Sequence, residues 1–294
     1  MRIIFRKVWG NLHHFMAIPA ILLFGLFFLY PLVQGVGISL TDSNGISAPN
    51  FVGLQNFVDF FNDDRARNDV LITVYFALGS APLLNLLGLM YALLLDRKLA
   101  GRGIVRAIVY LPAVISPLIM GYIWYFILQP DRGYLAHVLN SVGLGFLDVN
   151  WLGESSSALV VLIVVNVWQY VGMTMIVYLA GLQSIPPDLY EAATIDGAGR
   201  WTSLRYVTLP LLYPSIKINV VTNIIGSLSV FEIIVALTDG GPGYATESLS
   251  IYILRMLYGS FTGYSTAVAL ILFVIILIPV VLFLRFTRKS EYEL

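Results

Sequence analysis

Long apolar runs alternate with short polar stretches along the whole chain. Six windows, near residues 15–40, 70–95, 105–128, 158–183, 217–238 and 264–285, are long enough to span a bilayer, since a helix needs roughly 20 apolar residues to cross the hydrocarbon. The pattern predicts an all-α membrane protein with six transmembrane helices. Arg2, Arg6 and Lys7 precede the first window, as basic residues precede the core of a signal peptide. Its apolar part is longer than such a core, and no A-x-A cleavage site follows, so it reads as a retained span.

Composition supports a lipid solvent. Of 294 residues, 58% are hydrophobic and 12% charged, with a mean hydropathy of +0.83, where a soluble domain carries about 25% charged residues. The formal net charge is zero, which gives no sign of a nucleic-acid partner. The absence of cysteine excludes disulfides, thiolate metal sites and cysteine nucleophiles. His13, His14 and His137 have no metal-ligand spacing.

Charge also orients the spans. With the N-terminus in the cytoplasm, 13 basic residues fall inside: Arg2, Arg6, Lys7, Arg97, Lys98, Arg102, Arg106, Arg200, Arg205, Lys217, Arg285, Arg288 and Lys289. Only 4 fall outside: Arg65, Arg67, Arg132 and Arg255. This obeys the positive-inside rule and predicts a multi-pass membrane protein with both termini and the 184–216 loop cytoplasmic. Loops 41–69, 129–157 and 239–263 then face outward. The first is aromatic and acidic and predicts a short surface helix. Tyr30, Tyr110, Trp124, Tyr125 and Trp151 sit near span ends, where an aromatic belt anchors the interface.

The 184–216 loop is the most ordered polar stretch. In "SIPPDLYEAATID" Ser184 precedes two prolines suited to a first helical turn, and Asp188 and Glu191 suit the positive end of a helix. Leu189, Ala192, Ala193 and Asp196 share one small, smooth face. Gly197 and Gly199 then break the helix, and a second helical piece from Trp201 to Leu209 returns toward the membrane at Pro210 and Pro214. Such a face suits close approach by another protein's backbone, or packing on the chain's own bundle.

"EAATIDGAG" followed by "VTLP" resembles the EAA loop of permease subunits in bacterial binding-protein-dependent ABC importers. Glu191, Ala192, Ala193, Gly197, Val207, Leu209 and Pro210 fill that pattern in register, with Val207 where isoleucine is commoner. "YPLVQGVGISLTD", "FVGLQNFVDFF", "RKLAGRGIVRAIVYLPAVISP", "WLGESSSALVVLIVVNVWQYVG" and "ALTDGGPGYATESLSIYILRM" extend the resemblance over nearly the whole chain, to sugar-type permeases similar to the maltose importer's larger permease subunit. That subunit has extra N-terminal spans and a large outer loop, for which this chain has no room.

The resemblance implies a type I ABC importer permease fold in the bacterial cytoplasmic (inner) membrane. It implies a first segment, 1–69, a permease core, 70–285, and a tail, 286–294. The implied partners are a second permease subunit, two ATPase subunits carrying ATP and Mg, an extracellular solute-binding protein, membrane lipid and a sugar substrate. In this register Glu191 would pair with a basic residue of the ATPase, Ala192 and Ala193 would sit in its groove, and Asp196 and Gly197 would set the turn. The chain itself has no cofactor motif. Its only lysines, Lys7, Lys98, Lys217 and Lys289, lie outside any G-x-x-x-x-G-K-[ST] loop, so ATP hydrolysis is expected on another chain.

Polar residues inside spans are candidates for the substrate path. Span four offers Asn166, Gln169, Tyr170 and Thr174; span five offers Asn219, Thr222, Asn223, Ser227, Ser229 and Glu232. Asn219, Asn223 and Ser227 step by four and share a stripe. Such groups also bond between helices. Phe231 and Tyr170 could stack on a sugar ring. A carboxylate at 232 must face protein or a wet cavity. The resemblance carries the maltose relative's sugar contacts onto Gln169, Tyr170, Met173, Asn223, Gly226, Ser227 and Val230. Another polar solute such as glycerol phosphate, or ion-coupled secondary transport, stands as the alternative. The latter usually needs several buried ionisable groups and inverted repeats, and only Glu232 is well inside a predicted span. No H-E-x-x-H or paired intramembrane aspartates suggest an enzyme.

Overall fold

The computed structural model describes residues 17–97, 100–129, 132–145 and 149–288. Arg2, Arg6, Lys7, His13, His14, Lys98, Lys289 and the tail beyond 288 lie outside the described residues. Within them the secondary structure is helical, apart from one antiparallel bridge between Thr41 and Phe51. This is the expected all-α solution, because a helix satisfies its backbone polar groups internally where water is absent.

The described chain forms two compact units, one of residues up to Asp63 with Ile253–Ile271, the other of Asp64–Tyr252 with residues from Leu272. In the first unit, α1 (Ala17–Ser39) has no buried residue in its most apolar window. The predicted surface helix is α2 (Gln55–Asn62). Asn56 ties it to the end of α1, its amide donating to the Ser39 carbonyl at 2.7 Å and to that of Thr41 at 2.9 Å. The Asp42 carboxylate accepts the backbone N–H of Asn50 at 2.6 Å and its side-chain amide at 3.0 Å. Those two bonds hold Asp42 below its ordinary carboxylate range, the side-chain bond contributing most.

The second unit is built on α3 (Asp64–Leu95) packed along α7 (Ser155–Gln183). Small residues permit the close approach: a Cβ at Gly88 would lie 2.6 Å from Thr174 Cγ2. Between these helices run α4 (Arg102–Val114), α5 (Pro117–Leu128) and α6 (Tyr134–Ser141). After α7 come α8 (Pro187–Ile195), α9 (200–211, with a π-helical turn at Leu204–Thr208) and α10 (Tyr213–Leu228). Then follow α11 (Glu232–Leu237), α12 (Leu249–Tyr258) and α13 (Thr262–Arg288).

Two predicted spans are not single rods. Window 105–128 is α4 and α5, bent by 97°. Pro117 contributes: it has no N–H to donate, and it drives the preceding Ser116 extended, with ψ of 135°, next to Ile115 with ψ of 137°. Window 217–238 is α10 and α11, interrupted where Ser229 and Phe231 leave helical geometry. Among the described residues, four helices are long and apolar enough to cross a membrane, and the bent pair raises this to five. The interrupted α10–α11 window is the sixth region expected to span, and helix length alone does not establish it as a crossing.

Candidate functional site

A cavity of about 580 Å³ opens where α10 breaks. It collects Tyr170, Met173, Asn223, Gly226, Ser227, Val230, Phe231 and Glu232, eight of the nine substrate-path residues chosen from sequence. Asn166, Thr174, Asn219, Thr222 and Ser229 join them. Part of this wall also holds the helices together. Asn219 is buried and donates to the Thr174 carbonyl at 3.1 Å, and Asn223 lies 3.3 Å from the Thr174 hydroxyl. Phe231 and Tyr170 are half-buried and Met173 is exposed, so an aromatic and thioether surface faces the neutral amides and hydroxyls. That mixture can hydrogen-bond hydroxyls at the edge of a ring and cover its apolar face.

Gln169 is the ninth residue, and the structure puts it elsewhere. It is fully buried, and its amide donates to the Ile115 carbonyl at 3.0 Å. It occupies a carbonyl at the α4–α5 break, where the regular helical ladder is interrupted. Its helical neighbour Tyr170 points into the cavity lining, because adjacent positions on a helix point about 100° apart.

The break in α10 is held by residues that sequence reading did not nominate. Ser248 donates to the Val230 carbonyl at 2.8 Å, and the Leu249 N–H donates to the Thr73 hydroxyl at 2.9 Å. Beside them Glu247 is fully buried and takes a two-pronged bond from Arg65, at 2.8 Å from Nε and 3.0 Å from Nη2. The Arg65 guanidinium also stacks over Tyr244, 3.7 Å from the ring centre. Arg65, Asp69 and Thr73 step by four, so α3 presents them as one stripe. Arg65 and Glu247 are separated by 182 positions, and no local sequence signal pairs them.

The 184–216 loop follows the sequence reading closely. Ser184 differs: it closes α7, its hydroxyl bonding the Gly181 carbonyl at 2.7 Å, and Pro186 is the residue that opens α8. Asp196 caps α8, and Gly197 follows in the left-handed region with φ of 78°. The Gly197 N–H reaches the Thr194 carbonyl at 3.0 Å and the Ala198 N–H reaches that of Ala193 at 2.8 Å. This is a Schellman closure, which needs a left-handed residue at that one position. Nothing lies within 4 Å of a Cβ added at Gly197, so the requirement is conformational. No residue of α8 is buried; Glu191 and Ala192 are exposed, Ala193 is half-buried and Ile195 is 87% exposed. Tyr190 anchors the helix inward, its hydroxyl 3.2 Å from that of Thr208. At the end of α3 nearby, Arg106 donates to the Leu95 carbonyl at 2.7 Å, capping that helix as a basic residue can.

Residues 85–291 match the family of binding-protein-dependent transport system inner membrane components. The chain is 33% identical over 277 residues to the probable starch degradation products transport system permease protein AmyD of Thermoanaerobacterium thermosulfurigenes, covering 94% of each chain. It is 34% identical over 280 residues to the trehalose/maltose transport system permease protein MalF of Thermococcus litoralis, covering 95% of this chain and 94% of that one. Its fold is similar to that of a bacterial ABC transporter involved in the import of the acidic polysaccharide alginate, with a TM-score of 0.81 and 28% identity over 96% of this chain and 99% of that one. On a match that covers most of its length, this chain belongs to the binding-protein-dependent transport system inner membrane components, the permease subunits of ABC importers, which are not themselves the catalytic component.

Proposed function

We propose that the chain is one of two permease subunits of an ATP-driven importer and forms part of the translocation path for a mono- or oligosaccharide delivered by an extracellular binding protein. The observation that carries this reading is the convergence of Tyr170, Asn223, Ser227 and Phe231 on one cavity beside an interrupted helix. The relatives named for starch products and for trehalose and maltose support the sugar class. Both termini and the 184–216 loop are cytoplasmic in this reading, and the 239–248 segment faces outward. The exposed α8 docks into an ATPase subunit, with Glu191 against a basic residue, Ala192 and Ala193 in the groove, and Asp196 and Gly197 shaping the turn. ATP and Mg are bound by that subunit.

The test is reconstitution. Proteoliposomes holding this chain with its partner permease, ATPase and binding protein take up labelled sugar when ATP is supplied, and those holding this chain alone do not. Uptake by the chain alone overturns the subunit reading. Alanine at Asn223 or Ser227 lowers uptake while the complex still assembles; normal transport in both variants removes the cavity from the path.

A further inference from the structure

We infer that Glu232 makes this chain's part of the path selective for saccharides without negative charge, so that uronates and phosphate-bearing solutes are poor cargo. This rests on the sugar-permease reading above and narrows its substrate class.

The cavity wall is built of neutral donors and acceptors, among them Asn166, Thr222, Asn223 and Ser229. Glu232 is the one carboxylate on that wall, and no arginine or lysine of the described residues lines it. Lys217 belongs to α10 as well but is not part of the lining. Glu232 itself is exposed where it borders the cavity. A carboxylate accepts hydrogen bonds from neighbouring hydroxyls, and two of them on one sugar ring match its two oxygens. An anion in the same place meets a like charge in surroundings that screen it less than water does. Recognition of phosphate or carboxylate normally uses arginine or lysine, which this wall lacks. The likeness in fold to an alginate importer therefore does not carry its acidic cargo to this chain.

A second role for Glu232 is structural, because it is the first residue of α11, where a carboxylate faces unpaired N–H groups. That role alters stability and leaves selectivity alone, so selectivity is what must be measured.

The cysteine-free chain permits a direct reading of the local field. Thr222→Cys and Ser229→Cys are introduced singly into the assembled importer, with either Glu232 or Glu232→Gln. Each is reacted with a cationic and an anionic methanethiosulfonate of similar size. With Glu232 present the cationic reagent is expected to react faster by about tenfold relative to an exposed surface cysteine. Glu232→Gln abolishes that preference. Equal preference in the two backgrounds overturns the inference.

Transport supplies the second arm. Uptake of lactose against lactobionate, and of maltose against maltobionate, is compared in the two backgrounds with the same binding protein. The shared binding protein means that any change in ratio arises in the permease. The acid-to-neutral ratio is expected to rise about tenfold in Glu232→Gln. An unchanged ratio, or lactobionate carried as well as lactose by the unaltered importer, overturns the inference and leaves the sugar reading standing. No uptake of any sugar by the unaltered importer overturns the sugar reading instead, while the thiol rates still decide the field at Glu232.

Discussion

The 239–248 segment and the 184–216 loop hold similar materials and use them in opposite ways. Each carries acids, at least one left-handed glycine and at least one aromatic ring beside a helix break. In the first, Thr246, Glu247 and Ser248 are all fully buried and bonded within the chain. In the second, Glu191 is exposed, and Trp201 and Tyr206 are 74% and 69% exposed. Burying an ionised carboxylate is tolerable only with a hydrogen-bonded countercharge. Glu247 therefore requires Arg65 from the same chain. Glu191 is exposed and has no such countercharge beside it among the described residues. One region completes the fold; under the proposed function the other is the surface on which an ATPase subunit docks.

The strongest way to break this comparison is to remove one half of the buried pair. Arg65→Ala leaves Glu247 buried without its countercharge and is expected to cost about 3 kcal/mol, the low end of the range for such pairs, because the Arg65 side chain is 28% exposed. The check is the thermal melting of the detergent-purified chain. The double variant Arg65→Met with Glu247→Leu should recover part of that loss, and a double variant no better than the single one means that the ion pair is not the cause.

Gln169→Leu comes next. It leaves the partly buried Ile115 carbonyl without its donor, at about 1 kcal/mol. Melting falls, while the ratio of sugars transported is unchanged because the side chain does not line the cavity. A shift in that ratio returns Gln169 to the path.

Gly197→Val forces a β-branched residue to a φ of 78°, at about 1–3 kcal/mol. The loss is confined to α8, so the melting of the chain moves little, and co-purification of the ATPase is lost. Gly197→Asn, which tolerates the left-handed region, should retain the ATPase. Equal retention by the valine and asparagine variants removes the turn from the coupling role.

Glu191→Ala has the smallest effect on the chain itself, within about 0.5 kcal/mol, as for surface substitutions generally. Its consequence is expected in ATPase affinity alone, measured by titration of the ATPase onto the reconstituted permeases. A melting loss as large as that of Arg65→Ala would erase the contrast between the two regions.

The sequence made the 184–216 loop readable because its requirements are local. A glycine after a capped helix, small residues at helical spacing and prolines at helix starts are each specified within a few positions. The stripe Asn219, Asn223 and Ser227 was readable for the same reason, through the helical period. Gln169 was chosen as a polar residue inside a span and through the resemblance, and neither reveals that a carbonyl 54 positions away takes its amide. The buried pair had no local signature. Arg65 and Glu247 each read as ordinary loop charges until the fold put them together.

Hydropathy and the EAA register determined by themselves that this is a helical permease, and that the 184–216 loop turns at Gly197 between short helices. Those properties depend on transfer of residues between water and lipid and on bonds between near neighbours. The tertiary structure alone decided that two windows break, which polar residues share the cavity and which acid is neutralised within the chain. Those outcomes depend on desolvation and on hydrogen bonds between distant segments, and such energies exist only once packing has removed the water.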